Sequence, residues 1–475
     1  MNLGKKTKIV CTIGPATETV EKLEALVLAG MNVMRLNFSH GDFAEHQGRV
    51  DNLRTVMKKL DKPVAILQDL GGPKIRIGMF TDEKGIVLKP GQTFTLTTNE
   101  SEKLSGDEHR VYINYPKLPS EVKVGGTIMI HDGKKRLQIT KIKGNDIVCK
   151  VIVGGPLGNK KGVNLPDAEL TIHALTAKDR KDLEFGLKNK VDFFALSFVR
   201  RPEDIHELRA ILKKAKSDAR IIAKIETPQA LDCLDAIVEA ADGIMVARGD
   251  LAIEIPAEEV PIAQKRMIDA CIEAGKPVIV ATQMLESMIK SPIPTRAEVS
   301  DVANAIKDGT DAIMLSEETT LGEYPVEAVK MMTKIALRVE QDACSCESMV
   351  DHVEAHGDTD VISQAAVRIA HDSNASFIVA MTRSGRTARM IARYRPAEHT
   401  LVMSDSTKHL NKLALSFGCQ PIETPTFKTV EEAMVVVREV AFKNKLAKKG
   451  EKVVIVWGFP FGGSKDTNLI LVETL

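Results

Sequence analysis

Two stretches decide the fold. Arg220–Glu226 reads RIIAKIE and Gly243–Asp250 reads GIMVARGD. Each is a short, almost uninterrupted apolar run that ends in charge, and an amphipathic helical stretch follows each. Near-continuous apolar strands alternating with helices indicate a parallel sheet covered on both faces. The same unit recurs outward along the chain, at Lys8–Gly14, Asn32–Phe38, Pro63–Leu70, Asp192–Val199, Pro277–Met284 and Ala312–Glu318. Eight βα units predict a (β/α)8 barrel. Thr295-Arg-Ala-Glu298 has the form of a capping box opening a helix, and Gly275 before Lys276-Pro277 stops one.

The eight units are not contiguous. Between Gly71 and about Pro166 the runs Thr93–Thr98, Arg110–Tyr115, Thr127–His131, Arg136–Lys141 and Asp146–Val153 are short, β-rich and bounded by Gly, Pro and Asn, without convincing helices. They predict a small all-β domain inserted after the third barrel strand, at the end where a lid belongs. After the polar, acidic stretch Val350–Thr359, read as a linker, come strands Phe377–Thr382, Thr400–Ser404, Lys452–Trp457 and Leu469–Glu473 separated by helices. The expected division is therefore a barrel over 1–70 and 168–345, a β-rich lid over 71–167, and a smaller C-terminal α/β domain over 346–475.

A chain of 475 residues, 44% hydrophobic and 27% charged, has the size and composition of a multidomain globular protein. Lys plus Arg is 65 and Asp plus Glu is 64, so charge offers no case for nucleic acid or an anionic membrane. No apolar run approaches the roughly 20 residues of a membrane helix. No apolar signal region follows Met1–Lys8, and the seven cysteines form no CxxC pair. We expect a cytoplasmic protein with reduced thiols, and Cys11 and Met34 in the core.

Chemistry in a barrel sits where strands end. Here those ends carry Arg35, Asn37, Ser39 and His40; Asp69, Lys74 and Arg76; Lys224 and Glu226; Gly249 and Asp250; Thr282; and Ser316 with Glu317. Strand alternation puts Lys224 and Glu226 on one face, and Arg35 with Asn37 on another. Glu226 and Asp250, on adjacent strands, make a hard-oxygen pair suited to Mg2+. Gly249 lets a substrate approach the backbone closely. Lys224, Arg35 and Arg76 surround the pair with positive charge, which suits a phosphorylated, anionic substrate. Far along the chain, Thr382-Arg383-Ser384-Gly385-Arg386-Thr387 has the composition of a phosphate cradle at a helix N-terminus. These residues alone also accommodate a Mg2+-dependent barrel lyase acting on a keto acid, or a metabolite-sensing protein without catalysis.

At these residues the chain resembles the pyruvate kinases over essentially its full length. The matching stretches are Lys6–Ala16, Gly30–His40, Lys161–Pro166, Lys224–Glu226, Met245–Pro256, Ala281–Met288 and Pro294–Asn304. The resemblance implies phosphoryl transfer from phosphoenolpyruvate to ADP as the final step of glycolysis. It implies that Glu226 and Asp250 hold Mg2+, with Mn2+ as an alternative, and that Lys224, Arg35, Arg76, Thr282 and Ser316 serve catalysis. Arg35, Lys224, Gly249, Asp250 and Thr282 would bind phosphoenolpyruvate; Asn37, His40, Arg76 and Lys161 would contact the nucleotide. Asn37, Ser39 and Asp69 match the family's monovalent-cation ligands, but Lys74 stands where many relatives have Glu. We expect its ammonium to replace K+. The loop Thr382–Thr387 would bind a sugar-phosphate or nucleotide effector, with Phe459–Asn468 closing over it, and the expected assembly is a homotetramer. Asp167 and Glu317 depart from the family pattern, and nothing in the sequence explains either.

Overall fold

The structure, a computed structural model, describes residues 3–343, 350, 352–460 and 466–475. Cys344, Cys346, part of the Val350–Thr359 linker and the segment 461–465 of the expected effector-closing loop lie outside them.

The eight barrel strands are Lys8–Thr12, Val33–Asn37, Ala65–Asp69, Phe193–Leu196, Arg220–Ile225, Gly243–Ala247, Val278–Ala281 and Ala312–Leu315. Each pairs in parallel with its chain neighbour, and the eighth closes on the first in the register Lys8↔Ala312. All-parallel strands covered on both faces must be apolar on both, which is why these runs lack alternation. Val10, Leu67, Phe193, Ile222, Met245 and Ile279 fill the interior. Cys11, Met34 and Ile225 pack outward against the helices, fully buried. Thr295 and Glu298 form the expected capping box. Gly275 takes φ +61, and a Cβ there would fall 2.0 Å from Met390 of the C-terminal domain.

Residues between the third and fourth barrel strands form a six-stranded sheet and a two-stranded one around their own apolar core. The five expected strands are present. The short strands Ile86–Leu88, Gly155–Leu157 and Val163–Asn164 were not expected, nor was the one-turn helix Leu118–Glu121. Asp167 acquires a physical account: its Oδ2 accepts the Thr127 N–H at 2.8 Å, tying the exit of this insert to the start of one of its strands.

The C-terminal sheet has five strands rather than four. The extra one, Cys419–Glu423, is an edge strand containing Pro421, which disguises it in the sequence. It pairs along the strand Thr400–Ser404. Arg395 links this domain to the foot of the barrel. Its Nη2 lies 2.8 Å from Asp311 Oδ2, with both residues buried. The described cysteines 11, 149, 233, 271 and 419 are all free, and Cys233 alone of these is exposed. Among the described residues no helix is long and apolar enough to cross a membrane.

Candidate active site

Lys224 and Glu226 do share a face at the end of the fifth strand. Lys224 Nζ reaches Glu226 Oε1 at 2.8 Å, Asp69 Oδ1 at 3.4 Å and Ser197 Oγ at 2.7 Å. Burial works against the charge on this amine, but Asp69 and Glu226 outweigh it and hold the ammonium above its usual range. Asp69 is buried as well, yet Lys224 and Arg35 keep its carboxyl below the usual range. Arg35 donates to Asp69 Oδ2 at 2.7 Å from Nε and to Thr12 Oγ1 at 2.8 Å from Nη1. A cation at the second strand, a carboxylate at the third and a cation at the fifth thus form one buried chain.

Asp250 is placed differently from the sequence reading. The sixth strand ends at Ala247, and Asp250 sits in the first turn of the helix Arg248–Glu254. The register Ile225↔Val246 still brings it beside Glu226. Burial and then the neighbouring Glu226 carboxylate push Asp250 up to about 6, while Lys224 and Lys74 oppose the shift. Phe198 N donates to Glu226 Oε2 at 2.8 Å, while the buried Glu226 Oε1 faces the Lys224 ammonium at 2.8 Å. A carboxylate beside a second carboxylate that it repels, both of them hard oxygen donors, fits a divalent cation. Among the described residues no group of three or more His, Cys, Asp or Glu could hold a metal alone. The pair would therefore share the ion with substrate oxygens.

Thr282 and Gln283 close the seventh strand with φ +68 and +53. A β-branched residue there is strained, and such strain collects at functional sites. Arg248 braces it, donating to Thr282 O at 2.7 Å and pairing with Asp301 at 2.7 Å. The Gly249 N–H donates to Thr282 Oγ1 at 2.8 Å, so the two groups expected at the substrate carboxylate are bonded to each other. Thr282 Oγ1 donates in turn to Ala281 O rather than meeting Ser316. The Ser316 N–H is held by Glu318 Oε2 at 2.7 Å.

A cleft of about 390 Å³ lies between the insert and the barrel, lined by Lys74, Arg76, Lys161, Arg200, Asp250 and Glu254 among others. Lys224, Glu226, Thr282, Asn37 and His40 do not line it. Burial, then Lys74, Arg76 and Arg35, lower the His40 imidazole, which leaves it neutral at neutral pH. Arg76 Nη1 donates to Lys160 O at 2.8 Å, so Arg76 and the Lys161 segment are already joined. Asn37 Oδ1 accepts the Ser39 N–H at 3.1 Å. The Lys74 amine is lowered first by burial, and the charges that act on it include Lys224, Asp250, Arg76 and Glu226. Glu317 is exposed and is one of the charges acting on His40.

Ser197 is the functional neighbour that sequence reading missed. It follows the fourth strand, donates to Leu70 O at 2.7 Å and receives the Lys224 ammonium. Its signal was a hydroxyl breaking an apolar run at a barrel strand's end, the same signal that marked Thr282.

In the C-terminal domain, Thr382, Arg383, Ser384, Arg386 and Thr387 line a second cleft of about 470 Å³. Gly385, at φ +77, caps the helix Arg386–Arg393, and its N–H donates to Thr382 Oγ1 at 3.1 Å. Arg383 faces Asp405 at 3.5 Å and Arg386 faces Asp466 at 3.3 Å.

A barrel whose C-terminal rim carries buried cations around two carboxylates, beside a β-rich insert, has the makeup of an enzyme for anionic substrates. Sequence comparison narrows this. The family profile described as pyruvate kinase, barrel domain, matches residues 4–329, and that described as pyruvate kinase, alpha/beta domain, matches 360–473. The chain is 43% identical to a pyruvate kinase of Clostridium acetobutylicum, over 99% of this chain and 100% of the relative. It is 45% identical to one of Geobacillus stearothermophilus, over 99% and 80% respectively. A solved pyruvate kinase from Cryptosporidium parvum superposes with a TM-score of 0.95 at 38% identity, covering 99% of this chain and 96% of that one. The chain belongs to the pyruvate kinase family and is a phosphotransferase.

Proposed function

We propose that the protein moves the phosphoryl group of phosphoenolpyruvate to ADP, giving pyruvate and ATP, as the last step of glycolysis in the cytoplasm. The observation that carries this is the convergence of Lys224 and Glu226, at the end of the fifth strand, with Asp250, in the helix that follows the sixth. Bound there, Mg2+ would neutralise phosphate and carboxylate oxygens of the substrates.

The chain's own residues do the rest. Lys224 and Arg35 place fixed positive charge where the phosphoryl group transfers and where enolate charge develops. Both are pre-oriented, Lys224 by Ser197 and Arg35 by Asp69 and Thr12. Gly249 N–H and Thr282 Oγ1 exchange their mutual hydrogen bond for the substrate carboxylate. The enolate takes up one proton to become pyruvate, through a relay in which Thr282 and Ser316 take part. Arg76 and Lys161 bind the nucleotide phosphates in the cleft, with Asn37 and His40 on its flank.

Lys74 supplies a permanent cation beside Asp250 and Glu226, so the enzyme works without the K+ that Asn37, Ser39 and Asp69 would otherwise help to bind. The cleft at Thr382–Thr387 takes a phosphorylated effector, whose anion replaces Asp405 and Asp466 at Arg383 and Arg386. The assembly is a homotetramer. The test is direct detection of pyruvate from phosphoenolpyruvate and ADP with Mg2+ in K+-free buffer. Turnover that requires ADP supports the reading; pyruvate formed without ADP would mean that water takes the phosphoryl group, and the kinase reading falls.

A further inference from the structure

The helix Arg248–Glu254 carries two carboxylates one turn apart, Asp250 and Glu254. Residues four apart on a helix lie on one face, and both line the cleft between insert and barrel. They have different partners. Glu254 Oε1 accepts the Asn164 Nδ2–H at 2.8 Å, and the Leu165 backbone amide contributes to the same carboxylate. Asn164 ends the last strand of the insert, and Leu165 follows it on the way back to the barrel. The same helix meets the insert a second time. An added Cβ at Gly133 would lie 3.5 Å from Ile253 Cγ2, ordinary contact distance. Arg200 extends the connection. Its charge acts with Glu254 and Glu226, and its Nη1 donates to Phe198 O at 3.3 Å while Phe198 N holds Glu226 Oε2. The helix itself has seven residues and no side-chain cap, so its own hydrogen bonds position it weakly.

We propose that Glu254 is a positioning residue: by clasping Asn164 at the insert's exit, it sets where Asp250 stands relative to Glu226. Divalent-metal affinity and the placement of the insert are then coupled through one side chain. The proposal rests on Glu226 and Asp250 being the metal carboxylates.

Two measurements on the full chain test it without turnover. The first is Mn2+ binding to the nucleotide-free protein, followed by electron paramagnetic resonance. Glu254→Ala and Asn164→Ala each weaken Mn2+ binding by about 10-fold, the scale of lost outer-sphere support. The double variant is no weaker than either single, because both remove one contact. Glu254→Gln, whose amide oxygen still accepts from Asn164, recovers most of the affinity. The second is amide exchange over residues 161–168 without metal, which accelerates several-fold in both alanine variants.

Unchanged Mn2+ affinity with unchanged exchange overturns the clasp. Single effects that multiply in the double variant overturn the coupling. If exchange responds but the wild-type protein binds no Mn2+, the clasp stands, while the metal reading of Glu226 and Asp250 falls together with the coupling built on it.

Discussion

Lys224 Nζ lies 2.8 Å from Glu226 Oε1, while Glu226 Oε2 is held by the Phe198 N–H, so Oε1 is the oxygen that no backbone group claims. The ammonium and a divalent cation would therefore share a single carboxylate oxygen. Lys224→Met removes the ammonium and keeps the stem's volume. Phosphoryl transfer is expected to fall by about 10^2–10^3-fold, as when one preorganised charge-stabilising donor is lost. Mn2+ binding to the nucleotide-free variant is expected to hold or to tighten, because Glu226 loses a competing cation. Weaker Mn2+ binding would show instead that Lys224 organises the two carboxylates.

Arg248 acts through Thr282. It holds the Thr282 carbonyl at 2.7 Å while Thr282 sits at φ +68. Arg248→Ala lets that strained residue relax, at a loss of about 1–3 kcal/mol for a charge-assisted hydrogen bond. The expected effect is a rise of about tenfold in KM for phosphoenolpyruvate with a smaller change for ADP. Equal changes in both would mean that the whole rim collapses. Arg248→Lys, which cannot reach Asp301 and Thr282 together as a planar fork, is expected to rescue little.

Asp192 makes folding pH-dependent. Its Oδ2 accepts the Ile66 N–H at 2.8 Å, and burial pushes the carboxyl from 3.8 up to about 6 despite the nearby Lys412. The folded value lies above the unfolded one. Its contribution to stability is therefore complete below about 3.8 and is lost as pH rises through about 6. Asp192→Asn keeps an oxygen for Ile66 and removes the charge. At pH 7.5 we expect a gain of about 1–3 kcal/mol, seen as a higher melting temperature, and near pH 4 almost none. Destabilisation at pH 7.5 would show that attraction to Lys412 exceeds the cost of burial.

The barrel was legible because burial on both faces leaves each strand an unbroken apolar run, and the charged residue that ends it marks the working rim. The pairing of Lys224 with Glu226 followed from strand alternation alone. Asp250 was placed on a strand because Arg248-Gly249-Asp250 continues that run without a break, whereas the chain turns into a helix one residue past Ala247. Ser197 was overlooked because a lone serine carries little signal until its partner, 27 positions away, is known. The Glu254–Asn164 clasp spans 90 positions, and Arg395 meets Asp311 across 84. No local pattern reports such separations. Pro421 hid a strand because proline is tolerated only at a sheet edge, and the sequence does not say which strand is the edge.

Lys74 gives the sharpest test of the ion requirement. Its charged neighbours are Lys224, Asp250, Arg76 and Glu226, so its ammonium belongs to the same electrostatic field as the proposed metal carboxylates. Reversing it to a carboxylate changes the local charge by two. Lys74 is exposed, so solvent screens each of these interactions, yet all of them change sign together. An added monovalent cation is the simplest compensation, and binding it at Asn37, Ser39 and Asp69 would require Asp69 to share its oxygens with Arg35 and Lys224. Lys74→Glu is therefore expected to be nearly inactive in K+-free buffer and to regain much of its rate as K+ is added. The wild-type rate is expected to be flat over the same titration, with pyruvate detected directly so that no coupling enzyme imposes its own ion requirement. A wild-type enzyme that itself needs K+ would show that the Lys74 charge does not replace the ion. A Lys74→Glu variant that K+ fails to restore would show that Lys74 contributes something other than charge, such as the shape of the cleft that it lines with Arg76 and Asp250.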